Sequence, residues 1–152
     1  MQKHTVLSPI GRLTIVQDGE CITRLYFENQ EIPPCEPADT TLLRDAEKQL
    51  QEYFAGKRKT FSLPFAEQGS AFNKRVWDAL TAIEYGKIAI YKDIAALVGS
   101  PKGARAVGNA CNRNPLPIFV PCHRVVGSSG KLTGFAGGLD VKQFLLDLEQ
   151  GL

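Results

Sequence analysis

Residues 91–113 read YKDIAALVGSPKGARAVGNACNR, and they determine the architecture of the second half of the chain. Residues 91–98 have the composition of a helix that Gly99 would end. Residues 100–103 form a Gly/Pro turn, and residues 104–113 predict a second helix. Two short helices joined by such a turn are the sequence form of a helix-turn-helix.

The segments around this pair also predict helices. Ser70 can cap a helix that ends at Tyr85-Gly86. Its apolar stripe comprises Phe72, Val76, Ala79, Leu80 and Ile83. Residues 141–150 predict a terminal helix with Phe144, Leu145 and Leu148 facing inward. We therefore expect a mainly helical domain over residues 67–152.

Residues 1–66 have a different pattern, which predicts a small α/β domain. Runs rich in β-branched and aromatic residues predict three antiparallel strands, at residues 5–7, 14–16 and 22–27. Prolines then indicate a loop, and Asp39 or Thr40 can cap a helix that ends at Gly56. A further short strand is expected within residues 60–68. The predicted fold class is α+β.

The composition fits a globular protein without a membrane segment. The chain has 152 residues, 43% hydrophobic and 22% charged. No long apolar run is present, and the four cysteines form no CxxC pair. These features predict a cytoplasmic protein with reduced cysteines, and no spacing indicates a metal site.

The net charge of +2 is unevenly distributed. Residues 1–70 carry eight Lys/Arg and ten Asp/Glu, which gives −2. Residues 71–126 carry eight and three, which gives +5, and residues 127–152 carry two and three, which gives −1. The middle segment suits a polyanion, although a solvated basic face would have the same composition.

The chemistry-bearing motif is Pro121-Cys122-His123-Arg124. A thiol is a strong nucleophile only as its thiolate, which a neighbouring imidazole or cation promotes. The dipeptide alone is also compatible with a purely structural cysteine. Because adjacent side chains diverge, any contact between Cys122 and His123 would need a bridging water.

The run NPLPIFVPCHRVV at residues 114–126 resembles the active-site signature of the methylated-DNA–protein-cysteine methyltransferases. So do GARAVGNA at 103–110, GGL at 137–139 and KQFLL at 142–146. The resemblance implies a ribonuclease-H-like first domain and a second domain that binds double-stranded alkylated DNA. It implies stoichiometric transfer of the alkyl group from O6-methylguanine, and possible action on O4-methylthymine, by a monomer without a cofactor.

The same resemblance implies residue roles in catalysis. Cys122 would accept the alkyl group, and His123, held by Glu149, would remove its proton through water. Asn114 would fix the turn before the active site. Tyr91 would help to rotate the nucleotide and would donate a hydrogen bond to the leaving base.

Roles in DNA binding fall on Tyr91, at the start of the first helix of the pair, and on the second helix. Ala104, Ala106 and Gly108 are small, which permits close approach to DNA through the minor groove, although tight helix packing would favour the same residues. By resemblance, Arg105 would occupy the space left by the rotated nucleotide.

The implied substrate pocket comprises Pro117, Val125, Phe135 and Ala136. Phe135 and Ala136 stand where several relatives have Tyr and Ser, which leaves tolerance for bulky alkyl groups open. Three other classes compete: a protein that flags alkylated DNA without transferring the group, a helix-turn-helix regulator and a cysteine hydrolase. The first would lack the acceptor cysteine, and the last would turn over many times.

Overall fold

The computed structural model describes residues 1–152, which form two compact units, Met1–Glu67 and Gln68–Leu152. No helix in either unit combines the length and apolar character needed to cross a membrane.

The first unit is built on a four-stranded mixed sheet. Its strands are β1 (Gln2–Ser8), β2 (Gly11–Asp18), β3 (Cys21–Tyr26) and β4 (Glu36–Pro37), in the order β3-β2-β1-β4. The three antiparallel strands predicted from the sequence are confirmed. The prediction of a loop over the prolines is wrong at one point, because β4 pairs in parallel with β1. Pro37 is tolerated because it ends a two-residue edge strand.

Helix α1 (Thr41–Phe54) completes the first unit. The Thr40 hydroxyl accepts a hydrogen bond from the Leu43 N–H, so Thr40 is the cap. Leu43, Ala46, Leu50 and Tyr53 are buried at helical spacing. The strand expected within residues 60–68 is absent as an element, and only an isolated bridge joins Phe65 to Ile22.

The second unit contains four helices and a minimal parallel sheet. The helices are α2 (Ala71–Thr81), α3 (Tyr91–Leu97), α4 (Ala104–Asn112) and α5 (Leu139–Glu149). The sheet pairs β5 (Ala89–Ile90) with β6 (Val125–Val126). Helices α3 and α4 pack on each other, as the helix-turn-helix pattern predicts. Trp77 of α2 ties this pair to the core, since its Nε1 donates to the Ala110 carbonyl at 2.9 Å.

Two details of the helical prediction are wrong. Helix α2 ends at Thr81, earlier than Tyr85-Gly86, because the chain tightens into turns after Ala82. Phe144 is 36% exposed, whereas Lys142 and Glu149 are buried. Lys142, Leu145 and Glu149 recur at the spacing of one helix face, so the buried face of α5 carries two charged side chains.

Candidate active site

A rigid turn leads into Cys122. Asn114 holds its two ends, because its Nδ2 donates to the Val120 carbonyl and its Oδ1 accepts from the Leu116 N–H, both at 2.9 Å. Pro121 has φ −81° and ψ 63°, and the Cys122 N–H donates to the Val120 carbonyl at 2.8 Å. This is an inverse γ-turn, which the fixed φ of proline favours.

The turn also stores backbone strain. Ile118 has φ 73°, a left-handed conformation that is rare for a β-branched residue. Its side chain is 1% exposed, so packing holds it in place. Strain of this kind persists where the surrounding structure over-determines it, and here it lies four residues before the thiol.

Cys122 begins a short 3-10 helix, Cys122–Arg124, and is buried. Burial raises the pKa of its thiol to about 11, while the Asn114 side chain and the charge of Lys142 act to lower it. The thiol is therefore protonated at neutral pH in the folded protein, and it needs a base to become a nucleophile.

His123 and Glu149 form a buried pair. The Nε2 of His123 lies 2.6 Å from the Glu149 Oε2, and both side chains are almost fully excluded from solvent. Burial lowers the pKa of His123, although Glu149 opposes this effect. The imidazole is thus neutral near pH 7 and can accept a proton. Its Nδ1 is buried and has no hydrogen-bond partner within the protein.

Arg124 shares the same carboxylate. Its Nε donates to the Glu149 Oε1 at 2.7 Å, and its Nη2 donates to the Oε2 at 3.1 Å. Its Nη1 donates to the Ile83 carbonyl at 2.6 Å. This bidentate pair fixes the position of Glu149 beneath His123.

Tyr91, Thr133 and Lys142 form a second polar cluster. The Tyr91 hydroxyl lies 2.6 Å from the Thr133 Oγ1 and 3.4 Å from the Lys142 Nζ. Burial raises the pKa of Tyr91, and the nearby thiols Cys111 and Cys122 act in the same direction. Tyr91 therefore keeps its proton and can donate it in a hydrogen bond.

A cavity of about 410 Å³ opens beside this cluster. Its lining comprises Tyr91, Ala104, Arg105, Gly108, Asn109, Asn112, Thr133 and Gly134. Four of the five residues predicted to bind DNA thus meet at one cavity, while Ala106 is exposed elsewhere on α4. Packing does not explain Gly108, because a Cβ at this position would meet only the Tyr91 ring, at an ordinary 3.9 Å.

The predicted pocket residues are distributed between the turn and the following loop. Pro117 and Val125 are buried, and Val125 lies in β6. Phe135 and Ala136 are half-buried in the loop before α5. None of the four lines the cavity beside Tyr91.

Sequence reasoning missed the parts played by Arg124, Lys142, Thr133 and Cys111. Arg124 lies within the motif Pro121-Cys122-His123-Arg124, and this position was a usable signal. Nevertheless, no role was assigned to it from the sequence. The signal for Lys142 was its spacing from Glu149, which places both on one face of α5.

No group of three or more His, Cys, Asp or Glu side chains is arranged to hold a metal ion.

Comparison with known proteins identifies the family. The model of the ribonuclease-like domain of 6-O-methylguanine DNA methyltransferase matches residues 1–66, and that of its DNA binding domain matches residues 71–151. The chain belongs to the methylated-DNA–protein-cysteine methyltransferases. The constitutive methyltransferase of this family from Bacillus subtilis is 49% identical, over 96% of this chain and 93% of the relative.

A solved methyltransferase structure has the same fold. The Mycobacterium tuberculosis protein OGT, crystallised in complex with DNA, superposes with a TM-score of 0.94 at 43% identity. The match covers 99% of this chain and 94% of that protein. The predicted family and its two-domain α+β fold, with a ribonuclease-like first domain, are confirmed. Members of this family repair DNA by transferring an alkyl group to a protein cysteine.

Proposed function

We propose that this methyltransferase removes the alkyl group from O6-methylguanine in double-stranded DNA and places it on Cys122, once per molecule. The observation that carries the proposal is the buried Cys122 thiol at the end of a rigid turn, followed directly by the His123–Glu149 pair. Residues 1–66 serve as the supporting domain, and residues 67–152 carry DNA binding and transfer.

His123 removes the thiol proton through a water molecule. A direct contact between neighbouring side chains is sterically unfavourable, and the Nδ1 of His123 is the one imidazole nitrogen without a protein partner. Glu149 holds the opposite nitrogen and stabilises the imidazolium that forms. Asn114 supports the thiolate, because its side chain acts to lower the pKa of Cys122.

The transfer is a displacement at carbon. A lone pair of the Cys122 sulfur forms the new S–C bond, and the electron pair of the C–O6 bond leaves with guanine. The resulting guanine anion takes up one proton, so the base ends as ordinary guanine. The protonated Tyr91 is suited to donate a hydrogen bond to this anion.

Single turnover follows from the product. To remove the alkyl group from the Cys122 thioether, a second thiol would have to attack the alkyl carbon and expel the Cys122 thiolate, which is a poor leaving group from a neutral thioether. The alkylated molecule therefore does not return to its starting state.

DNA binds through α4. A DNA-binding-domain match over residues 71–151 and a similar protein crystallised with DNA support DNA as the partner. The exposed Ala106, the partly accessible Ala104 and Gly108, and the scarcity of base-reading side chains favour the minor groove. Exposed Arg105 lies beside the cavity of about 410 Å³ that Tyr91 also lines, and it fills the stack after the nucleotide rotates out.

The proposal also covers the cellular location, the oligomeric state, a second substrate and the contacts to the base. The protein acts as a cytoplasmic monomer, and it also accepts the methyl group of O4-methylthymine, whose methyl group is likewise bound to an exocyclic ring oxygen. Val125 binds the guanine amino group through its carbonyl, and the backbone near Ala136 faces O6. Pro117 and Phe135 contribute apolar surface around the base.

Intact-protein mass spectrometry tests the proposal. The wild type, Cys122→Ser and the matched variant Cys111→Ala are each mixed with a duplex that contains one O6-methylguanine. We expect the wild type and Cys111→Ala to gain one methyl group, which peptide mapping places on Cys122. Cys122→Ser should gain none. With DNA in excess, the methyl groups transferred should equal the protein molecules present.

Two outcomes would contradict this proposal. Repeated turnover with limiting protein would indicate hydrolytic or regenerative chemistry. Binding of the damaged duplex without any mass gain would place this protein among those that flag alkylated DNA for other repair.

A further inference from the structure

Thr133, in the loop before α5, is joined to the site by both its side chain and its backbone. Its Oγ1 lies 2.6 Å from the Tyr91 hydroxyl, and its carbonyl accepts a hydrogen bond from the Lys142 Nζ at 3.4 Å. A separation of 2.6 Å is at the short end of the range for hydrogen bonds between hydroxyl groups. No motif in the sequence indicates Thr133, so its part in the reaction has to be inferred from this contact.

The two hydroxyl residues share one wall of the cavity beside α4. Tyr91 and Thr133 are both half-buried, and both line this cavity of about 410 Å³ together with Arg105. Their hydrogen bond therefore lies at the surface that a molecule entering the cavity would meet, rather than in the interior of the second unit.

The number of protons available determines the direction of this hydrogen bond during transfer. The Tyr91 hydroxyl has one proton to donate, and its oxygen can accept hydrogen bonds. Lys142 can only donate to that oxygen, at 3.4 Å. If Tyr91 gives its proton to the leaving guanine, the contact of 2.6 Å is a hydrogen bond only when Thr133 is the donor. A threonine hydroxyl can turn its proton toward either side, so Thr133 can take this role.

We propose that Thr133 is a positioning residue that donates a hydrogen bond to the Tyr91 oxygen and so directs the Tyr91 proton toward the leaving base; this inference rests on the proposed transfer to Cys122. An oxygen that accepts a hydrogen bond becomes a stronger donor through its own O–H, because successive hydrogen bonds polarise one another. The benefit is greatest when negative charge has developed on the guanine. No proton passes between Thr133 and Tyr91, and both hydroxyl groups end the reaction as they began it.

The acidity of Tyr91 agrees with this direction. Burial raises the pKa of Tyr91, and the hydrogen bond with Thr133 acts to lower it. A donor to the phenol oxygen has this effect because it stabilises negative charge on that oxygen. The opposite direction, from Tyr91 to Thr133, would hold the phenol proton away from the base. The two directions therefore predict opposite effects on transfer when the Thr133 hydroxyl is removed.

A double-mutant cycle of methyl transfer tests the inference. Wild type, Thr133→Val, Tyr91→Phe and the double variant are each mixed with an excess of a duplex that contains one O6-methylguanine, and the single-turnover rate constant is measured. Thr133→Ser keeps the hydroxyl, and Thr41→Val makes the same change at an exposed residue of the first unit. Labelling of Cys122 by iodoacetamide, measured without DNA, reports whether any substitution has altered the thiol or displaced the loop.

We expect Thr133→Val to slow transfer about fivefold, the scale of one hydrogen bond between neutral groups. Tyr91→Phe should slow it by at least as much. In the Tyr91→Phe background, the further effect of Thr133→Val should be less than about twofold, because Thr133 acts through the missing hydroxyl. Thr133→Ser and Thr41→Val should transfer at the wild-type rate, and iodoacetamide labelling should be the same in all the proteins.

Transfer by Thr133→Val at the wild-type rate or faster would overturn the inference, and so would an equal effect of this substitution with and without the Tyr91 hydroxyl. A parallel loss of iodoacetamide labelling would also overturn it, because it would indicate that the loop had moved. In each of these cases the wild type still transfers the methyl group. A wild type that transfers none would overturn the proposed function itself, and this inference with it.

Discussion

Glu149→Gln perturbs the one carboxylate on which both His123 and Arg124 depend. In the wild type, the side chains of Glu149 and Arg124 are 1% and 8% exposed, and their bidentate contacts measure 2.7 and 3.1 Å. The amide removes the negative charge and leaves the guanidinium buried. Breaking a buried ion pair from one side costs about 3–5 kcal/mol. With a urea m-value of about 2 kcal/mol/M, the unfolding midpoint should fall by roughly 1.5–2.5 M.

Trp77 makes this measurement specific to the second unit. It is the one tryptophan in the chain, it is 1% exposed, and it lies in the same unit as Glu149. Urea unfolding followed by its fluorescence therefore reports on the unit that contains the pair. The control is Asp147→Asn, two residues earlier on α5, where the carboxylate accepts an exposed hydrogen bond from Gln143. This control should change stability by less than about 0.5 kcal/mol.

The same variant tests the relay. Without Glu149, the imidazole of His123 loses its 2.6 Å partner and the charge that stabilises its protonated form. We expect the single-turnover rate of methyl transfer at pH 7.5 to fall about 100-fold or more, the scale of general-base catalysis. A midpoint within about 0.3 M of the wild type, together with an unchanged transfer rate, would refute the assigned geometry.

Three further expectations concern other parts of the chain. Gly69→Ala should lower the free energy of unfolding by about 1–3 kcal/mol in a urea titration, because its Cβ would collide with the Trp77 ring. Arg105→Ala should slow methyl transfer from duplex DNA about tenfold or more while leaving iodoacetamide labelling of Cys122 unchanged, since the side chain is exposed and its proposed role is on DNA alone. Equal loss in both assays would contradict this. Because the pKa of Cys122 is raised from 9.0 to about 11, the folded state binds more protons than the unfolded state between these pH values. The contribution of this thiol to the free energy of unfolding is therefore fully present below pH 9 and is lost as the pH rises through 11. Relative to Cys122→Ala, the free energy of unfolding of the wild type should therefore fall by about 3 kcal/mol between pH 8 and 12, as measured by fluorescence-detected unfolding.

The sequence predicted the ends of helices well where a single residue determines the local backbone conformation. Ser70 accepts a hydrogen bond from the Asn73 N–H and begins α2, as its position before an apolar stripe indicated. Gly99, with φ 80°, follows α3 in the left-handed conformation that ends a helix. The two-residue strands β4, β5 and β6 have no such signal, because pairs of residues are too short to show alternation.

The orientation of α5 could not be obtained from hydrophobicity. Phe144 appeared to be a core residue because it is the largest apolar side chain of the helix, yet the buried face carries Lys142, Leu145 and Glu149. Burial of the Glu149 carboxylate is stabilised by partners far away in the chain, such as Arg124, 25 residues before it. Hydrophobic periodicity reflects the preference of each single residue for the core. The buried face of α5 depends instead on polar side chains that are paired with partners elsewhere in the chain.

Under the proposed single turnover, the burial of Cys122 has a functional logic. A thiolate permanently present at neutral pH would react with any small electrophile or oxidant, and each such event would consume a molecule. Burial instead raises the pKa of the thiol to about 11, so the resting group is almost entirely protonated and reacts only slowly. In the proposed relay, neutral His123 supplies the base for this thiol. Because the anion is not dominant in the free protein, the proposed transfer depends on substrate placement. In this mechanism, reactivity is coupled to the entry of an alkylated base.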